Sequence, residues 1–360
     1  MRRHARARID LGALRHNLVR VRAAAPGARV MAAVKGDAYG HGMLLAAEAL
    51  TGAATDGLAV ACVAEGLALR EAGIGTPVLV LQGARDAAEL RAAAEQDLTL
   101  CIHQAWQLEL LDAVTLPRAV AVWLKIDTGM HRMGVDPADA ARIHQALSTH
   151  ASVAGPPGLM THFACADERD SPVTGEQVAV FDVATANLAG PQSLANSAAI
   201  LARPDSHRDW VRPGIMLYGG SPFADTPAAD LGLRPVMTLT APLIAIRQAK
   251  RGDAIGYGGD WVCPEDMPVG SVAIGYGDGY PRHAPSGTPV AIGGRRTVLA
   301  GRVSMDVVTI DLRGIDARVG DMVELWGPTV PMDEVATRAG TISYELTCSV
   351  GPFVHVSIAG

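Results

Sequence analysis

Short apolar runs alternate with longer amphipathic stretches between about residues 29 and 217 of the chain. This alternation is typical of repeated strand and helix units, whose strands form a parallel sheet. Eight runs are candidate strands, and they begin near Val30, Leu58, Val78, Leu98, Val120, Leu159, Ser193 and Pro213. Eight such units predict a (β/α)8 barrel of the TIM type, in which catalytic groups lie at the carboxyl ends of the strands. An open, doubly wound sheet is the competing architecture.

Near Arg234 the pattern changes to short β-branched runs separated by Gly, Pro and Asp. The runs are Met237 to Ile246, Met267 to Ile274, Pro289 to Ile292, Val298 to Gly301, Val307 to Leu312 and Met322 to Trp326. Runs of this length and spacing predict an all-β domain. We therefore expect a barrel over residues 10–235 and a C-terminal β domain over residues 236–360, which residues 1–9 could join.

Length and charge narrow the class of protein. A chain of 360 residues exceeds what one hydrophobic core usually serves, which agrees with two domains. The net charge of −6 gives no electrostatic reason to bind nucleic acid. We expect the arginine-rich start, Arg2 to Arg8, to be a solvated terminus. No apolar run approaches the ~20 residues that cross a bilayer, and the start lacks the apolar core of a secretion signal, so we expect a cytoplasmic protein.

The cysteines offer neither a disulfide framework nor a metal site. They are widely spaced, and none forms a CxxC pair. The five are Cys62, Cys101, Cys165, Cys263 and Cys348. We expect buried, reduced thiols and no bound metal.

Lysine and tyrosine are used selectively. The chain has 31 Lys plus Arg, but only three are lysines, Lys35, Lys125 and Lys250. A retained lysine is a candidate for chemistry that guanidinium cannot perform, such as imine formation, whereas Lys250 lies in a polar turn and fits a surface role. Five of the six tyrosines stand beside a glycine, which predicts loops that line a cavity.

The first candidate strand ends at Lys35, which begins the segment KGDAYGHG. A lysine at a barrel mouth can be partly desolvated, which frees its amine for imine formation. VKGDAYGHG resembles the pyridoxal-phosphate lysine signature of the alanine racemase family, although the family usually has Ala at the position of Gly36. The resemblance continues in order through ARIDLGALRHN, LKIDTGMHRMG, GLMTHFACADE, LANSAA, VRPGIMLYGG, AIGYGDGYPR, GRVSMD and TISYELTC.

The resemblance implies a fold-type III pyridoxal-phosphate enzyme that interconverts L-alanine and D-alanine by two-base proton transfer. Lys35 would hold the cofactor as an aldimine and carry one proton, and Tyr276 would be the base on the opposite face. The resemblance also implies a head-to-tail homodimer whose active sites are shared between the two subunits. The residues leave open whether the activity would supply D-alanine for peptidoglycan or break alanine down.

Binding of the cofactor phosphate is expected in the loops after strands seven and eight. Asn196 and Ser197 follow strand seven, and Gly214 and Ile215 lie at strand eight, while Asn196 would serve equally well as a helix N-cap. The resemblance adds the hydroxyls of Tyr39 and Tyr344. It also assigns Arg212 to the pyridine nitrogen and His162 to a position behind the ring. A permanently charged arginine keeps its proton, which favours racemisation over transamination.

Substrate binding is implied for Arg132 through the alanine carboxylate, with the Met305 N–H of the partner subunit assisting. Lys125 matches a position that is carbamylated in some family members; the plain alternative is a buried lysine paired with Asp127 or another acid. Arg302, Asp167 and Asp306 match residues that line the entry. The C-terminal tail, Gly351 to Val356, departs from the family pattern, which usually carries arginines there.

Three other functions remain open from the residues. The first is a racemase for serine or for several amino acids, since one hydroxyl changes pocket discrimination only modestly. The second is a fold-type III decarboxylase, which would carry an acidic partner for the pyridine nitrogen where this chain has Arg212. The third is a non-catalytic cofactor carrier with a single barrel, which the β domain of about 125 residues argues against.

Overall fold

The structure, a computed structural model, describes residues 4–352 and 354–359. Arg2 and Arg3 of the arginine-rich start and Phe353 of the tail lie outside the described residues. The described residues form two compact units. The barrel unit comprises Leu18–Ala38 and Gly42–Leu217, and the sheet unit comprises the residues up to Asn17, the segment Tyr39–His41 and the residues from Tyr218 onward.

Eight parallel strands close into a barrel in the barrel unit. With strands numbered along the chain, β1 (Arg6–Asp10) belongs to the sheet unit, and the barrel is formed by β2 (Arg29–Ala33), β3 (Gly57–Val60), β4 (Val78–Val80), β5 (Leu98–Ile102), β6 (Val122–Lys125), β7 (Gly158–Met160), β8 (Gln192–Ser193) and β9 (Trp210–Val211). The barrel closes where Val30 of β2 pairs with Val211 of β9. The predicted barrel is confirmed.

Side chains from consecutive strands fill the barrel interior. One buried layer consists of Met31, Ala59, Leu79, Cys101, Trp123 and Met160. Gly158 makes room for the largest of them, because a Cβ at this position would lie 2.4 Å from the Trp123 ring. The interior is therefore a packed core, and the space for chemistry is at the strand ends.

Helices connect the strands. They are α1 (Leu11–Ala24), α2 (Lys35–Gly40), α3 (Met43–Gly52), α4 (Val63–Glu71), α5 (Ala87–Glu95), α6 (Ala105–Ala113), α7 (Ala140–Thr149), α8 (Val173–Thr185) and α9 (Ser197–Ala202). Side-chain caps begin several of them, as where the Asp86 carboxylate accepts the N–H groups of Ala88 and Glu89. Among the helices of the described residues, none has the length and apolar character needed to span a membrane.

The sheet unit is mostly β. Its remaining strands are β10 (Met237–Ala249), β11 (Ala254–Ile255), β12 (Trp261–Val262), β13 (Met267–Val272), β14 (Pro289–Ile292), β15 (Arg295–Val298), β16 (Val308–Asp311), β17 (Met322–Trp326) and β18 (His355–Ala359). The main sheet has the order β15-β14-β17-β10-β1-β18, and β13 pairs with β10 and β16. Two helices, α10 (Met332–Ala339) and α11 (Ser343–Cys348), also belong to the unit, so the predicted C-terminal β domain is confirmed as a mostly β unit that also contains two helices.

The strands near both ends of the chain pair with segments that are distant in sequence. β1 pairs with β10, and β18 of the atypical tail runs parallel to β1. Ala5, Ala7 and Ile9 are buried, whereas the arginines between them point outward. The prediction of a solvated start over Arg2 to Arg8 is therefore wrong for Ala5 and Ala7, whereas Arg6 and Arg8 are exposed. The domain bounds of 10–235 and 236–360 stay predictions, because a compact unit need not fold independently.

Several local predictions are also wrong. The eighth barrel strand ends at Val211 instead of beginning near Pro213, because proline has no N–H to donate to a ladder. The run near Val298 pairs as Arg295–Val298, since Gly293 and Gly294 both take positive φ and close a hairpin with β14.

The predicted environments of some tyrosines and cysteines also differ from those in the structure. Tyr218 and Tyr280 are fully buried core residues rather than part of a cavity lining. Of the cysteines, only Cys101 and Cys263 are buried, whereas Cys348 is exposed.

Candidate active site

The backbone after Lys35 turns in the left-handed sense. Lys35 opens α2 directly after β2, and every residue from Gly36 to Gly40 has a φ between +52° and +78°. L-amino acids disfavour this conformation, so the non-glycine residues of the turn, Asp37, Ala38 and Tyr39, are strained. Such strain persists only where the surroundings hold it, and it is common at functional sites.

Hydrogen bonds to fixed acceptors hold the turn. The Ala38 N–H donates to Val34 O at 2.8 Å. The Gly36 N–H donates to Glu65 Oε1 at 2.8 Å, and Asp37 Oδ1 accepts the Met43 N–H at 2.7 Å. The segment that carries Lys35 is therefore tied to β2, α3 and α4.

Ser197, at the start of α9, is a candidate hydrogen-bond donor to an anion. Its Oγ accepts the N–H groups of Gly214 at 2.8 Å and Met216 at 3.4 Å, and the side chain is buried. Because the oxygen accepts both bonds, its own proton is left to donate, and it has no acceptor among the described residues. The Ile215 N–H, in a fully buried residue, likewise donates to no described group. The neighbouring Asn196 caps α9 by accepting the Ala199 N–H at 3.1 Å.

Arg212 follows β9 and is buried. Its Nη1 donates to Ser193 O and Oγ at 2.8 and 2.6 Å, and its Nη2 donates to Thr161 O at 2.6 Å and Leu194 O at 3.2 Å. Among the described residues Nε–H has no acceptor. Burial lowers the Arg212 pKa to about 10, so the group stays charged near neutral pH. The guanidinium is thus held by neutral oxygens, with one donor left over.

Arg212 also defines the state of His162. Arg212 Nη2 lies 3.3 Å from His162 Nδ1. Since a guanidinium only donates, Nδ1 accepts and the His162 proton is on Nε2. Burial, followed by the charges of Arg212, Lys125, Arg132 and Lys35, lowers the His162 pKa well below its ordinary value. The imidazole is therefore neutral at physiological pH.

Lys125 ends β6 in a cationic environment. Burial lowers its pKa, and the charges of Arg212, Arg132 and Lys35 lower it further, against an opposing effect of Cys101. Within the described ranges no carboxylate pairs with Lys125. Asp127, the partner that the alternative interpretation names, uses Oδ1 to accept three backbone N–H groups of the loop before Arg132. This alternative, in which Lys125 pairs with Asp127, is therefore not found among the described residues.

Tyr276 lies in the sheet unit on a loop fixed by a second loop. Its N–H donates to Ser304 O at 3.1 Å, and the Gly277 N–H donates to Met305 O at 2.9 Å. Gly275 permits this approach, since a Cβ there would lie 2.2 Å from Ser304 O. The side chains of Tyr276 and Met305 are 42% and 52% exposed. The two predicted residues are thus neighbours on adjoining loops and face outward.

Tyr39 and Tyr344 also come together within the sheet unit. Their ring centroids are 5.9 Å apart, and the ring of Tyr218 lies tilted against that of Tyr39 with 5.0 Å between centroids. Burial and the neighbouring Tyr344 raise the Tyr39 pKa, so its phenol stays protonated. The contact depends on Gly40, where a Cβ would lie only 2.0 Å from Thr347 O of α11.

Three further residues match positions that line the entry to the active site in the family. Arg302 is paired with the Asp260 carboxylate, and Asp167 and Asp306 are exposed. Sequence reasoning did not single out Glu65 or Ser193. The spacing of Cys62 and Glu65 at the start of α4 resembles a capping pattern, but no local signal points to the contact with Gly36.

Known proteins match the whole chain. The alanine racemase N-terminal domain model matches residues 9–222, and the alanine racemase C-terminal domain model matches residues 236–358. The alanine racemase of Thioalkalivibrio sulfidiphilus is 55% identical over 362 residues and covers 100% of both proteins. The crystal structure of the biosynthetic alanine racemase from Pseudomonas aeruginosa is 45% identical, with a TM-score of 0.96 and 100% of each chain covered.

A more distant structure agrees with these matches. The alanine racemase from Streptomyces coelicolor A3(2) is 37% identical, with a TM-score of 0.93 over 99% of this chain and 98% of that one. This likeness covers nearly the whole length of each chain. The chain therefore belongs to the alanine racemase family of pyridoxal-phosphate-dependent isomerases, and its activity is the racemisation of alanine.

Proposed function

We propose that this chain racemises alanine with pyridoxal 5'-phosphate as its own cofactor and with Lys35 and Tyr276 as two opposed proton carriers. The observation that carries the proposal is a set of donors without protein acceptors among the described residues. They are the Ser197 hydroxyl, the Ile215 N–H and the Arg212 Nε–H. Unfilled donors in buried residues need acceptors, and a phosphate together with an aromatic ring nitrogen supplies them.

Different residues would hold different parts of the cofactor. Lys35 would bind it covalently through Nζ. The phosphate would be held by the Ser197 hydroxyl and by the backbone N–H of Ile215, with support from Asn196 and Gly214 and from the hydroxyls of Tyr39 and Tyr344. Arg212 would donate Nε–H to the ring nitrogen, and His162 would fix the guanidinium through its acceptor nitrogen.

Proton transfer would be the work of Lys35 and Tyr276. When bound, pyridoxal phosphate withdraws electrons from the α-carbon of the attached amino acid, so that the α-proton becomes acidic. Lys35 Nζ would take or return the proton on one face, and Tyr276 Oη would do so on the other. Arg212 remains charged at neutral pH, which favours return of a proton to the α-carbon over transamination.

The cation cluster supports the assignment of the substrate carboxylate. Lys35, Lys125, Arg132 and Arg212 all lower the pKa of His162 or of one another, and no acid pairs with Lys125 in the described parts of the chain. Such a cluster attracts an anion. Arg132 would bind the alanine carboxylate with its planar fork, and the Met305 N–H of the partner would assist.

The test is to locate the cofactor on the purified protein. The wild type should show the absorption band of an imine-bound cofactor, and borohydride reduction followed by peptide mapping should place the pyridoxyl group on Lys35. Lys250→Arg is the control, because Lys250 is exposed and paired with Asp266 at 2.8 Å. Finding the group on Lys125 or Lys250 would reject the assignment.

Substrate range is tested on the same preparation. Conversion of the L to the D form should be fastest for alanine and much slower for serine, lysine and arginine. Comparable rates across the four amino acids would contradict a dedicated alanine enzyme. Release of carbon dioxide from any of them would favour a decarboxylase.

A further inference from the structure

Glu65 contacts the chain directly after Lys35. It is the third residue of α4, and its two oxygens hold two different segments: Oε1 accepts the Gly36 N–H at 2.8 Å, and Oε2 accepts the Ala61 N–H at 2.7 Å. A single carboxylate thus ties the loop after β3 to the peptide that joins Lys35 to Gly36. Each carboxylate oxygen accepts a backbone N–H, so the carboxylate is held in one position.

The Gly36 N–H needs an acceptor from outside its own turn. The first N–H groups of a helical turn have no acceptor within it. The turn here is left-handed from Gly36 onward and strained at Asp37 and Ala38. Glu65 is a side-chain acceptor for the first of these N–H groups, so it stabilises a conformation that the local sequence disfavours.

The peptide geometry links this bond to Lys35. A peptide unit is planar, so the Gly36 N–H and the Lys35 carbonyl lie in one rigid plane. Fixing the direction of that N–H fixes the ψ angle of Lys35. The ψ angle sets how the Lys35 Cα–Cβ bond is directed relative to the following turn.

In the next two barrel units, the third residue of the helix makes the same local bond that Glu65 makes with Ala61. Glu65 makes its bond to Gly36 in addition to this shared one. Glu89 on α5 and Gln107 on α6 each accept the N–H of the residue four positions earlier, at 2.9 and 2.8 Å, as Glu65 does with Ala61. The second oxygen of Glu89, however, bonds to the side chain of Arg85. Of the three, Glu65 is the one that reaches the Lys35 segment.

We propose that Glu65 is a positioning residue for Lys35, acting through the Gly36 peptide. The inference rests on the proposed role of Lys35 as the cofactor lysine. Loss of the carboxylate lets the strained turn relax and redirects Lys35, which weakens cofactor attachment and slows proton transfer while leaving Arg132 able to bind the substrate carboxylate.

The test compares Glu65→Ala with Glu89→Ala, which removes the same local cap from the next barrel unit. Both variants should lose thermal stability to a similar extent. Glu65→Ala should raise the Kd of pyridoxal phosphate, titrated into apo-protein, and lower kcat by about tenfold or more with little change in KM for alanine, as expected when a reacting group is misplaced. Glu89→Ala should leave both within about twofold, because its contacts do not reach the Lys35 segment.

Glu65→Gln keeps one acceptor and nearly the same shape, so its Kd and kcat should fall between those of the wild type and Glu65→Ala. Equal effects of Glu65→Ala and Glu89→Ala on Kd and kcat would overturn the inference. Mapping the borohydride-reduced wild type separates the two claims. If the label is on Lys35 while the two alanine variants behave alike, only the positioning role fails; if the label is elsewhere, the proposed function fails.

Discussion

At the scale of single residues, the left-handed backbone after Lys35 restricts which residue types fit at each position. Gly36 has φ +63° with open space where a Cβ would be, whereas Gly40 has φ +78° and lies against Thr347 O. Glycine reaches this region at no steric cost, and other residues pay roughly 1–2 kcal/mol. Glycine at position 36 therefore avoids this strain.

Substitution of the two glycines should separate strain from collision. Gly36→Ala should lower the free energy of unfolding by about 1 kcal/mol. Gly40→Ala should lower it by clearly more, because a Cβ 2.0 Å from Thr347 O forces α11 to move. Urea denaturation measures both, with Gly27→Ala as the control, since Gly27 has open space and no positive φ. Equal effects at all three positions would show that the left-handed turn is not strained.

Lys125 is the second residue whose environment predicts chemistry. Its pKa is lowered by burial and by neighbouring cations, and no acid among the described residues pairs with it. A larger neutral fraction favours attack on carbon dioxide, and the resulting carbamate would offset the excess positive charge near Arg132.

Because Lys125 matches a position that is carbamylated in some family members, we propose a carbamate on Lys125. With ¹³C-labelled bicarbonate, the protein should show a carbamate carbon signal that Lys125→Arg removes and Lys250→Arg preserves. Crystallographic density should show a carboxylate at Lys125 Nζ. Bare density at that atom would reject the modification and leave the racemase assignment untouched.

At the scale of elements, the loop between β6 and α7 is organised by one carboxylate. Asp127 Oδ1 accepts the N–H groups of Gly129, Met130 and His131, each at 3.0 Å. Burial raises the Asp127 pKa, but these hydrogen bonds outweigh it, and the net value lies below the ordinary 3.8. The loop that leads to Arg132 is therefore held by the charged form.

The sign of the pH dependence follows from this. Because the folded-state pKa is lowered, the stabilisation is fully present above the ordinary pKa of the unfolded chain and is lost as pH falls through the lower folded value. Asp127→Asn should lower the free energy of unfolding at pH 7 by about 1 kcal/mol, since a neutral acceptor replaces a charged one, and should flatten the acid side of the stability curve. Chemical denaturation between pH 2 and about pH 7 measures this.

A matched substitution tests whether the effect reaches Arg132. Asp136→Asn makes the same change of a charged to a neutral acceptor in a similar cap, in which Oδ1 accepts the Ala138 N–H at 2.8 Å. Only Asp127→Asn should raise KM for alanine, because Asp127 alone of the two holds the loop before Arg132. A rise in both variants, or in neither, would contradict this role.

At the scale of the whole molecule, the proton carriers belong to different parts of the chain. Lys35 is in the barrel unit, and Tyr276 is in the sheet unit, where it is 42% exposed beside the exposed Met305. Exposed large side chains clustered on adjoining loops are typical of interaction surfaces. The family resemblance implies a homodimer, and we therefore propose that each site draws Lys35 and Tyr276 from different subunits.

Mixing two inactive variants tests the shared site. Lys35→Ala and Tyr276→Phe should each racemise alanine poorly. In a refolded heterodimer one site would carry both substitutions and the other none, so activity should return to about a quarter of the wild-type level if subunits pair at random. Refolding each variant alone is the control. Confirmed heterodimers that stay inactive would refute sharing, because both residues would then come from one subunit.

The barrel and the main site candidates could be predicted from the sequence because they depend on local patterns. Buried parallel strands are continuous apolar runs, and their carboxyl ends identify the loops that contain Lys35 and Asn196, whereas the roles of Arg212 and Tyr276 follow only from the family resemblance. The scarcity of lysine directed attention to Lys35 and Lys125. These signals lie within a few residues of the positions that they identify.

Only the tertiary structure decided the contacts between distant segments. Local patterns did not indicate that β1 and β18 pair, that Glu65 accepts the Gly36 N–H, or that neutral oxygens from Thr161 and Ser193 hold Arg212. The physical reason is that hydrogen-bond partners and left-handed strain are set by groups far apart in the chain, whereas periodicity reports only which face of an element is buried.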